Sequence, residues 1–485
     1  MGNLKTETVN GVKWTAIKTL SNKVVQFLIG IVLARLLSPS DYGVVGMATI
    51  FFALAGILID SGFCTALIRK KETTIEDTST IFFFNLIVSI VCCIILCISS
   101  NNIAVFLNAP ILTDIVKVSA LSLVIGSLGS VQWALCTKKV DFKTPALIGL
   151  PIQIITGGIA ILLAYLGCGP WALVFQTFTA TLLSTVAIWF VSDWRPRFLF
   201  SKKSFKELFG FSGNLALNAI FDTFYNEGLG MVIGKYYTSS QLGYYSKGQS
   251  TAQLPSTVIF SMVSNVIFPV LAKVQDDEQR LIMAYRKFMR IISLVIFFIM
   301  MLVITNAKDI VVFLYSSKWI PALLFLQIFG LKYMLWHINA VNWDILMVKG
   351  RSDWAFKKEI ANKIFSFLCV ILAIPYGPIY ICYAILIATI ENIIVNIGVA
   401  GHLFAYGYKK QISDFFPYLF LSVVACIPSV LVSLYCPFMP LLKLMIAIPV
   451  SCSIYVGWLW LTKNSDFLEL LQVSPLKRFF KWKIK

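Results

Sequence analysis

The sequence predicts an all-α integral membrane protein of about 14 transmembrane helices. Three observations carry that expectation. Of 485 residues, 58% are hydrophobic and only 13% charged, against about 45–50% and about 25% in a soluble domain. Apolar runs of roughly 20 residues, the length that crosses a bilayer, recur along the chain. Lysine and arginine also alternate between rich and sparse from one loop to the next. This composition excludes a disordered chain, an ordinary soluble enzyme and a disulfide-stapled secreted domain.

The apolar runs place spans at 12–36, 43–67, 80–99, 113–136, 145–166, 170–192, 209–235, 243–270, 289–306, 319–347, 360–376, 379–402, 415–435 and 440–461. Residues 1–11 are polar and no A-x-A site follows, so no cleavable leader is expected. Thirty of the 41 Lys and Arg lie in the N-terminal segment, the even-numbered loops and the tail; four (Lys235, Lys308, Lys318, Lys443) lie in the odd loops and seven inside spans. Basic loops stay on the cytoplasmic side, so both termini are expected there. The net charge of +18 is read as this bias and not as a nucleic-acid surface. The interleaved basic and aromatic residues 476–485 are expected on an anionic lipid leaflet.

Several chemistries drop out. The eleven cysteines form no CxxC pair, and His337 and His402 are the two histidines. Neither a zinc nor a haem site is expected, and no other metal or cofactor. No phosphate-binding GxxxxGK[ST] loop occurs. The odd-numbered loops are too short to carry the acids and bases of an external sugar polymerase or glycosyltransferase. A transporter, not an enzyme, is expected.

The chain also repeats itself. Ala34–Gly43 (ARLLSPSDYG) aligns with Gly234–Gly243 (GKYYTSSQLG) at an offset of 200; Val105-Phe106-Leu107 answers Val312-Phe313-Leu314, and Gly169-Pro170 answers Gly377-Pro378. Spans 1–6 and 7–12 thus read as two six-helix repeats. Six is even, so both insert in the same direction and are parallel repeats. The expected organisation is an N-terminal lobe 1–207, a second lobe 208–411, two further helices in 412–462 and a basic cytoplasmic tail 463–485. Two such lobes around a cleft suit alternating access.

Polar residues inside spans are costly and mark cavities or partners. The first span carries Lys18, Asn22 and Gln26; the seventh carries Asn214, Asn218, Asp222 and Asn226. Four-residue steps keep each set on one helix face, and the offset of 200 superposes them. They are expected to line one substrate cavity together with Lys23, Lys332 and Glu391, whose mid-span positions also allow an ion pair between helices. Lysines there suit an anionic head group; Asp222, Glu227 or Glu391 are carboxyls able to bind a coupling H+ or Na+. Arg35 and Lys235 end the first helix of each half and are expected to act as a gate. For Arg35, as for Lys117, Lys363 and Asp344, the plainer reading is anchoring at the headgroups.

The order of these features resembles a known family. The residues that carry it are Leu33–Gly43, Asp60-Ser61-Gly62-Phe63, Gly169-Pro170-Trp171-Ala172-Leu173, Leu242-Gly243-Tyr244-Tyr245, Phe268-Pro269-Val270-Leu271 and Gly350-Arg351-Ser352-Asp353. Over about residues 8–410 the chain resembles the Wzx-type polysaccharide exporters, the fourteen-helix branch of the multidrug/oligosaccharidyl-lipid/polysaccharide superfamily that includes lipopolysaccharide biosynthesis proteins. The resemblance implies two lobes forming a V-shaped central cavity in a bacterial cytoplasmic (inner) membrane. It implies export of undecaprenyl-pyrophosphate-linked oligosaccharide from the cytoplasmic to the periplasmic leaflet for O-antigen, capsule or exopolysaccharide synthesis. Membrane lipids, a polysaccharide polymerase and glycosyltransferases are the implied partners, and the last two helices would line a groove for the lipid tail. The alternative within the superfamily is a cation-coupled multidrug or small-solute antiporter, typically of twelve helices.

Overall fold

A computed structural model describes residues 21–139 and 143–473. In chain order the helices are α1 (21–36), α2 (Pro39–Asp60), α3 (Phe63–Arg69), α4 (Ile75–Phe106), α5 (Leu112–Lys138), α6 (Lys143–Tyr165), α7 (Trp171–Val191), α8 (Lys202–Tyr236) and α9 (Ser239–Lys273). They continue as α10 (Glu278–Thr305), α11 (Ala307–Tyr315), α12 (Leu323–Val348), α13 (Ser352–Ala373), α14 (Pro378–Phe404), α15 (Tyr408–Tyr435), α16 (Pro440–Leu461) and α17 (Ser465–Val473). No strand occurs among the described residues. Each predicted span has its long helix, and 11 helices among the described residues are long and apolar enough to cross a membrane. The protein is a multi-pass all-α membrane protein. The spans that fall outside those 11 are α1, described over residues 21–36, and α8 and α9, which carry polar residues along their length.

Three predicted boundaries move for local reasons. The second span was expected to run unbroken over 43–67. It stops at Asp60, because Ser61 and Gly62 take left-handed φ values of 46° and 74°. The Asp60 carboxylate accepts from the Cys64 backbone N–H at 3.2 Å and starts α3. The ninth span was expected from 289. It begins at Glu278, where the Asp277 side chain caps the Arg280 N–H at 3.1 Å, so Arg280, Arg286 and Lys287 are helical and not loop residues. The eleventh, expected from 360, begins at Ser352, which places Lys357 and Lys358 on a helix.

Contacts divide the chain into two compact units, Met1–Gly243 and Tyr244–Lys485. The sequence repeat divides it after 207, but packing divides it one helix later. The reason is α8, which lies along α2 and touches α3 and α4.

In the first unit, small polar residues join helices. Ser89 and Ser127 share a 2.9 Å hydrogen bond between α4 and α5, and Asn85 donates to Ser130 at 3.1 Å. Thr185 and Trp189 of α7 donate to the α5 carbonyls of Ile125 and Leu128, at 3.0 and 2.8 Å. Such interhelical bonds each contribute about 0.6 kcal/mol in membranes, so the set matters more than any member. Leu33 of α1 and Leu37 just after it pack on Ala160 and Ala164 of α6. The segment joining the two repeats, 192–201, is fastened to the first turns of α4. Trp194 donates to Thr78 Oγ1 at 3.0 Å, the Arg197 N–H to Ser79 Oγ at 3.1 Å and the Ser201 N–H to Thr80 Oγ1 at 2.9 Å. Phe205 and Leu208 at the start of α8 then join a cluster around Phe63 and Phe82.

In the second unit, α10 packs against both α12 and α15. The Arg286 guanidinium grips Asp414 of α15 with two bonds of 2.7 and 2.9 Å. Tyr406 donates to the same carboxylate at 2.7 Å. Arg290 reaches Asp466 of α17 at 2.9 Å, and Tyr418 donates to Asp466 at 2.6 Å. Deeper, Tyr455 of α16 stacks on Phe298 at 4.1 Å and donates to the Leu294 carbonyl at 2.7 Å. The last two long helices are therefore built into the second unit through buried charge and hydroxyl contacts.

Candidate transport gate and polar face

The repeated segment found in the sequence is where the chain meets itself. α1 and α8 end at residue 36 and Tyr236, and α2 and α9 begin at Pro39 and Ser239, an offset of 200 at both ends. Both starts are closed by reciprocal caps. Ser38 and Asp41 exchange backbone-to-side-chain bonds of 2.8 and 3.3 Å; Thr238 and Gln241 exchange two of 3.2 Å.

These two helix starts cross backbone to backbone. A Cβ on Gly43 would lie 1.7 Å from the Ser239 carbonyl oxygen, and a Cβ on Gly243 would lie 1.9 Å from the Pro39 carbonyl oxygen. No larger residue fits at either position. The contact is reciprocal in the manner of a two-fold interface: each glycine covers the first helical residue of the other copy. Ser40 Oγ and Ser239 Oγ close the crossing with a 2.7 Å hydrogen bond. Below it, Gly234 of α8 lets Met47 of α2 approach, with room for no methyl group between them.

Lys235 stands beside this crossing. Its Nζ donates to the Phe106 carbonyl and lies 4.5 Å from the centre of the Phe106 ring. Phe106 ends α4, so the ammonium meets the negative end of a helix whose last carbonyls lack intrahelical donors. Arg35, its counterpart in the first half, ends α1 with an exposed side chain. At the other end of α8, Lys70 bridges Asp77 at 3.1 Å and Glu207 at 3.2 Å. Burial works against that charge, yet the hydrogen bonds that Lys70 donates to Asp77 and Glu207 hold its pKa above the ordinary lysine value.

The expected cavity residues fall into separate environments. Asn218, Asp222 and Asn226 are exposed on one face of α8. Asn214 is on the same helix, but its side chain lies outside the described residues, as does all of Lys18. Asn22 turns toward α6: its carbonyl accepts from Gln153 at 3.1 Å and its amide rests against Gly149. Lys23 is half-buried and Gln26 exposed. In the second unit, Lys332 lies over the rings of Tyr333 and Phe329, at 5.0 and 5.7 Å. Glu391 accepts from Asn362 at 2.9 Å. Lys332 and Glu391 thus have different neighbours. Among the described residues no group of three or more His, Cys, Asp or Glu could hold a metal ion.

Residues 32–324 match the family model described as "Polysaccharide biosynthesis protein". The chain belongs to that family. Its relatives include an "Uncharacterized membrane protein in cps region" of Klebsiella pneumoniae, 26% identical over 95% of this chain and 92% of that protein. The "Succinoglycan biosynthesis transport protein ExoT" of Rhizobium meliloti is 24% identical over 98% of this chain and 97% of that protein. Among solved structures, the "Lipid II flippase MurJ, inward closed conformation" aligns with a TM-score of 0.76 at 15% identity, covering 93% of this chain and 99% of that one. At that identity the likeness establishes the fold. The family match and the named relatives bear out the family resemblance read from the sequence.

Sequence reasoning missed three features of this polysaccharide biosynthesis family member. The first is the reciprocal fit of Gly43 and Gly243; the repeat signalled the motif but not that its two copies touch. The second is the clasp of Arg286 and Arg290 on Asp414 and Asp466, whose partners are far apart in sequence. The third is Lys358, which follows Lys357 in a basic stretch ahead of the predicted span 360–376, yet is 7% exposed and bonded to Asn396 on α14.

Proposed function

We propose that this protein moves an undecaprenyl-pyrophosphate-linked oligosaccharide from the cytoplasmic to the periplasmic leaflet of a bacterial inner membrane, with both termini cytoplasmic. The observation that carries the reading is the likeness to the lipid II flippase fold over 93% of this chain, in a member of a polysaccharide biosynthesis family. In this reading the repeats 1–207 and 208–411 alternate between two arrangements, and the Gly43–Gly243 crossing, with Lys235 and Arg35 beside it, is the periplasmic gate. Lys18, Lys23 and Lys332 neutralise the pyrophosphate, which would otherwise lose its hydration uncompensated at a cost of several kcal/mol. Gln26, Asn214, Asn218 and Asn226 bond sugar hydroxyls. Asp222 serves as counter-ion to the lysines or carries a coupling proton, and Glu391 borders the same path. The lipid tail lies along α15 and α16. Glycosyltransferases supply the substrate and a polymerase consumes it.

The test is deletion of the gene in its host. Surface polysaccharide should disappear while lipid-linked oligosaccharide accumulates, inaccessible to an impermeant sugar-oxidising reagent in spheroplasts, and a plasmid copy should reverse both. Accumulation of reagent-accessible intermediate would place the defect after translocation and sink the reading.

A further inference from the structure

One buried cation is left unused by that reading. Lys358 lies six residues into α13, about 9 Å along the helix at 1.5 Å per residue, and is 7% exposed. Its ammonium donates to Asn396 Oδ1 on α14 and lies 5.1 Å from the centre of the Trp343 ring on α12. Both partners are neutral. Asn396 passes the hydrogen bonding on, donating to Asn339 Oδ1 of α12 at 2.7 Å and to Asn392 Oδ1 at 2.9 Å. One turn along α13, Asn362 donates to Glu391 at 2.9 Å and to the Ala388 carbonyl at 3.1 Å.

The surroundings make this node responsive. α13 presents Phe356, Ile360, Ile364, Phe367 and Leu372 as exposed apolar side chains, and Lys358 and Asn362 fasten its other side to α14. The carboxylates that act on Lys358 are Glu359, next to it on α13, and Glu391 on α14. Further titratable groups here are Lys363, which bridges Glu359 at 3.7 Å, Asp344 next to Trp343 on α12, and His402 of α14, which faces Trp354. A lysine in a span costs about 2.5–3.5 kcal/mol on insertion scales. A methionine of similar length would pack here without that cost, so a charge carried at this depth calls for a use.

We infer that Lys358 binds and releases the proton that couples the transport cycle, its charge holding α13 to α14 through Asn396. On release one N–H bond breaks, the proton passes to water, the electron pair stays on Nζ, and the cation's attraction to Asn396 and Trp343 ends. The inference rests on the transport reading above, but its first test does not.

That test uses the purified full-length protein in nanodiscs and follows tryptophan emission between about pH 6 and pH 10, the range in which a perturbed lysine titrates. An ammonium over an indole face changes its emission, so the wild type should show a step that both Lys358→Met and Trp343→Phe lose. Absence of the step in the wild type, or its survival in Lys358→Met, overturns the inference. The second test measures surface polysaccharide in the gene-deleted host across external pH. Wild-type export should vary with pH, whereas Lys358→Met and Lys358→Arg should both export less and lose the variation. A Lys358→Arg protein with the wild-type pH profile would mean that Lys358 only packs, and would overturn the coupling role. A wild-type chain that exports nothing would overturn the transport reading and the coupling role together, while the emission step would still report proton binding at Lys358.

Discussion

Ser40 and Ser239, 199 residues apart, share a hydroxyl–hydroxyl hydrogen bond of 2.7 Å at the crossing of α2 and α9. The bond joins the two copies of one repeated motif at the point where their backbones touch. If this crossing must open for transport, a covalent link there stops it. In a background lacking the native cysteines, Ser40→Cys with Ser239→Cys should cross-link under mild oxidant and lose export, and reductant should restore both. Full export by the cross-linked protein would remove the crossing from the gate.

Gly43 and Gly243 admit no side chain. Gly43→Ala or Gly243→Ala forces the two helix starts apart, with an overpacking cost of about 1–3 kcal/mol. Each variant should reach the membrane in near-normal amount, melt at a lower temperature and export poorly. Serine at either position should behave like alanine, since the obstacle is the first side-chain atom. A Gly243→Ala protein with wild-type melting and export would contradict the contact.

Lys235→Gln removes the charge from the end of α4 but leaves the protein able to fold, because a contact at a helix terminus contributes about 0.3–1 kcal/mol. Export should fall without loss of protein, and Arg35→Gln should act in the same direction. Normal export by the double variant would show both to be headgroup anchors.

Asp414 is buried beneath Arg286. Removing one partner of a fully buried pair costs about 3–5 kcal/mol, while replacing both with apolar groups is close to neutral; here Arg286 is part-exposed, and Arg290 at 3.8 Å and the Tyr406 hydroxyl still face the carboxylate. Arg286→Leu should therefore lower the melting temperature of the detergent-solubilised protein by less than that full cost, and adding Asp414→Leu should recover most of the loss. No recovery would mean that Tyr406 and Arg290 need the Asp414 carboxylate for themselves.

On α8, Asp222→Asn separates two roles. A counter-ion can be replaced with substantial export kept and pH dependence unchanged; a proton carrier cannot, although substrate binding would persist. Asn218→Leu and Asn226→Leu should each weaken substrate binding by roughly tenfold, the equivalent of one lost hydrogen bond of about 1.4 kcal/mol. Unaltered binding in both would take the α8 face out of the substrate path.

The spans were readable because hydropathy is a local property: α5, α6 and α7 lie close to where their apolar runs put them. Helix starts were less so. Thr74 with Asp77 and Asp277 with Arg280 set caps several residues before the apolar run begins, and so turned expected loop residues into helix. Side-chain direction was hardest to read. Asn22 has the same spacing from Lys18 and Gln26 as the α8 residues have from one another, yet it turns to α6, where Gly149 leaves it room. Nothing within one helix encodes which neighbour supplies that room. The Lys358–Asn396–Asn339 chain was hidden for the same reason, since its members sit on three helices and look alone like ordinary polar residues in an apolar run.

The reciprocal seating of Gly43 on residue 239 and of Gly243 on residue 39 also bears on ancestry. A six-helix chain of half this length carrying the motif once would have met a second copy of itself through the same two carbonyls, as a homodimer about a two-fold axis. Fusing two such genes frees most of the surface to diverge, and α1 and α8 have indeed diverged in their charges. It does not free the crossing, where each glycine fits against the first residue of the other copy, so a change on one side of this patch has to be matched on the other.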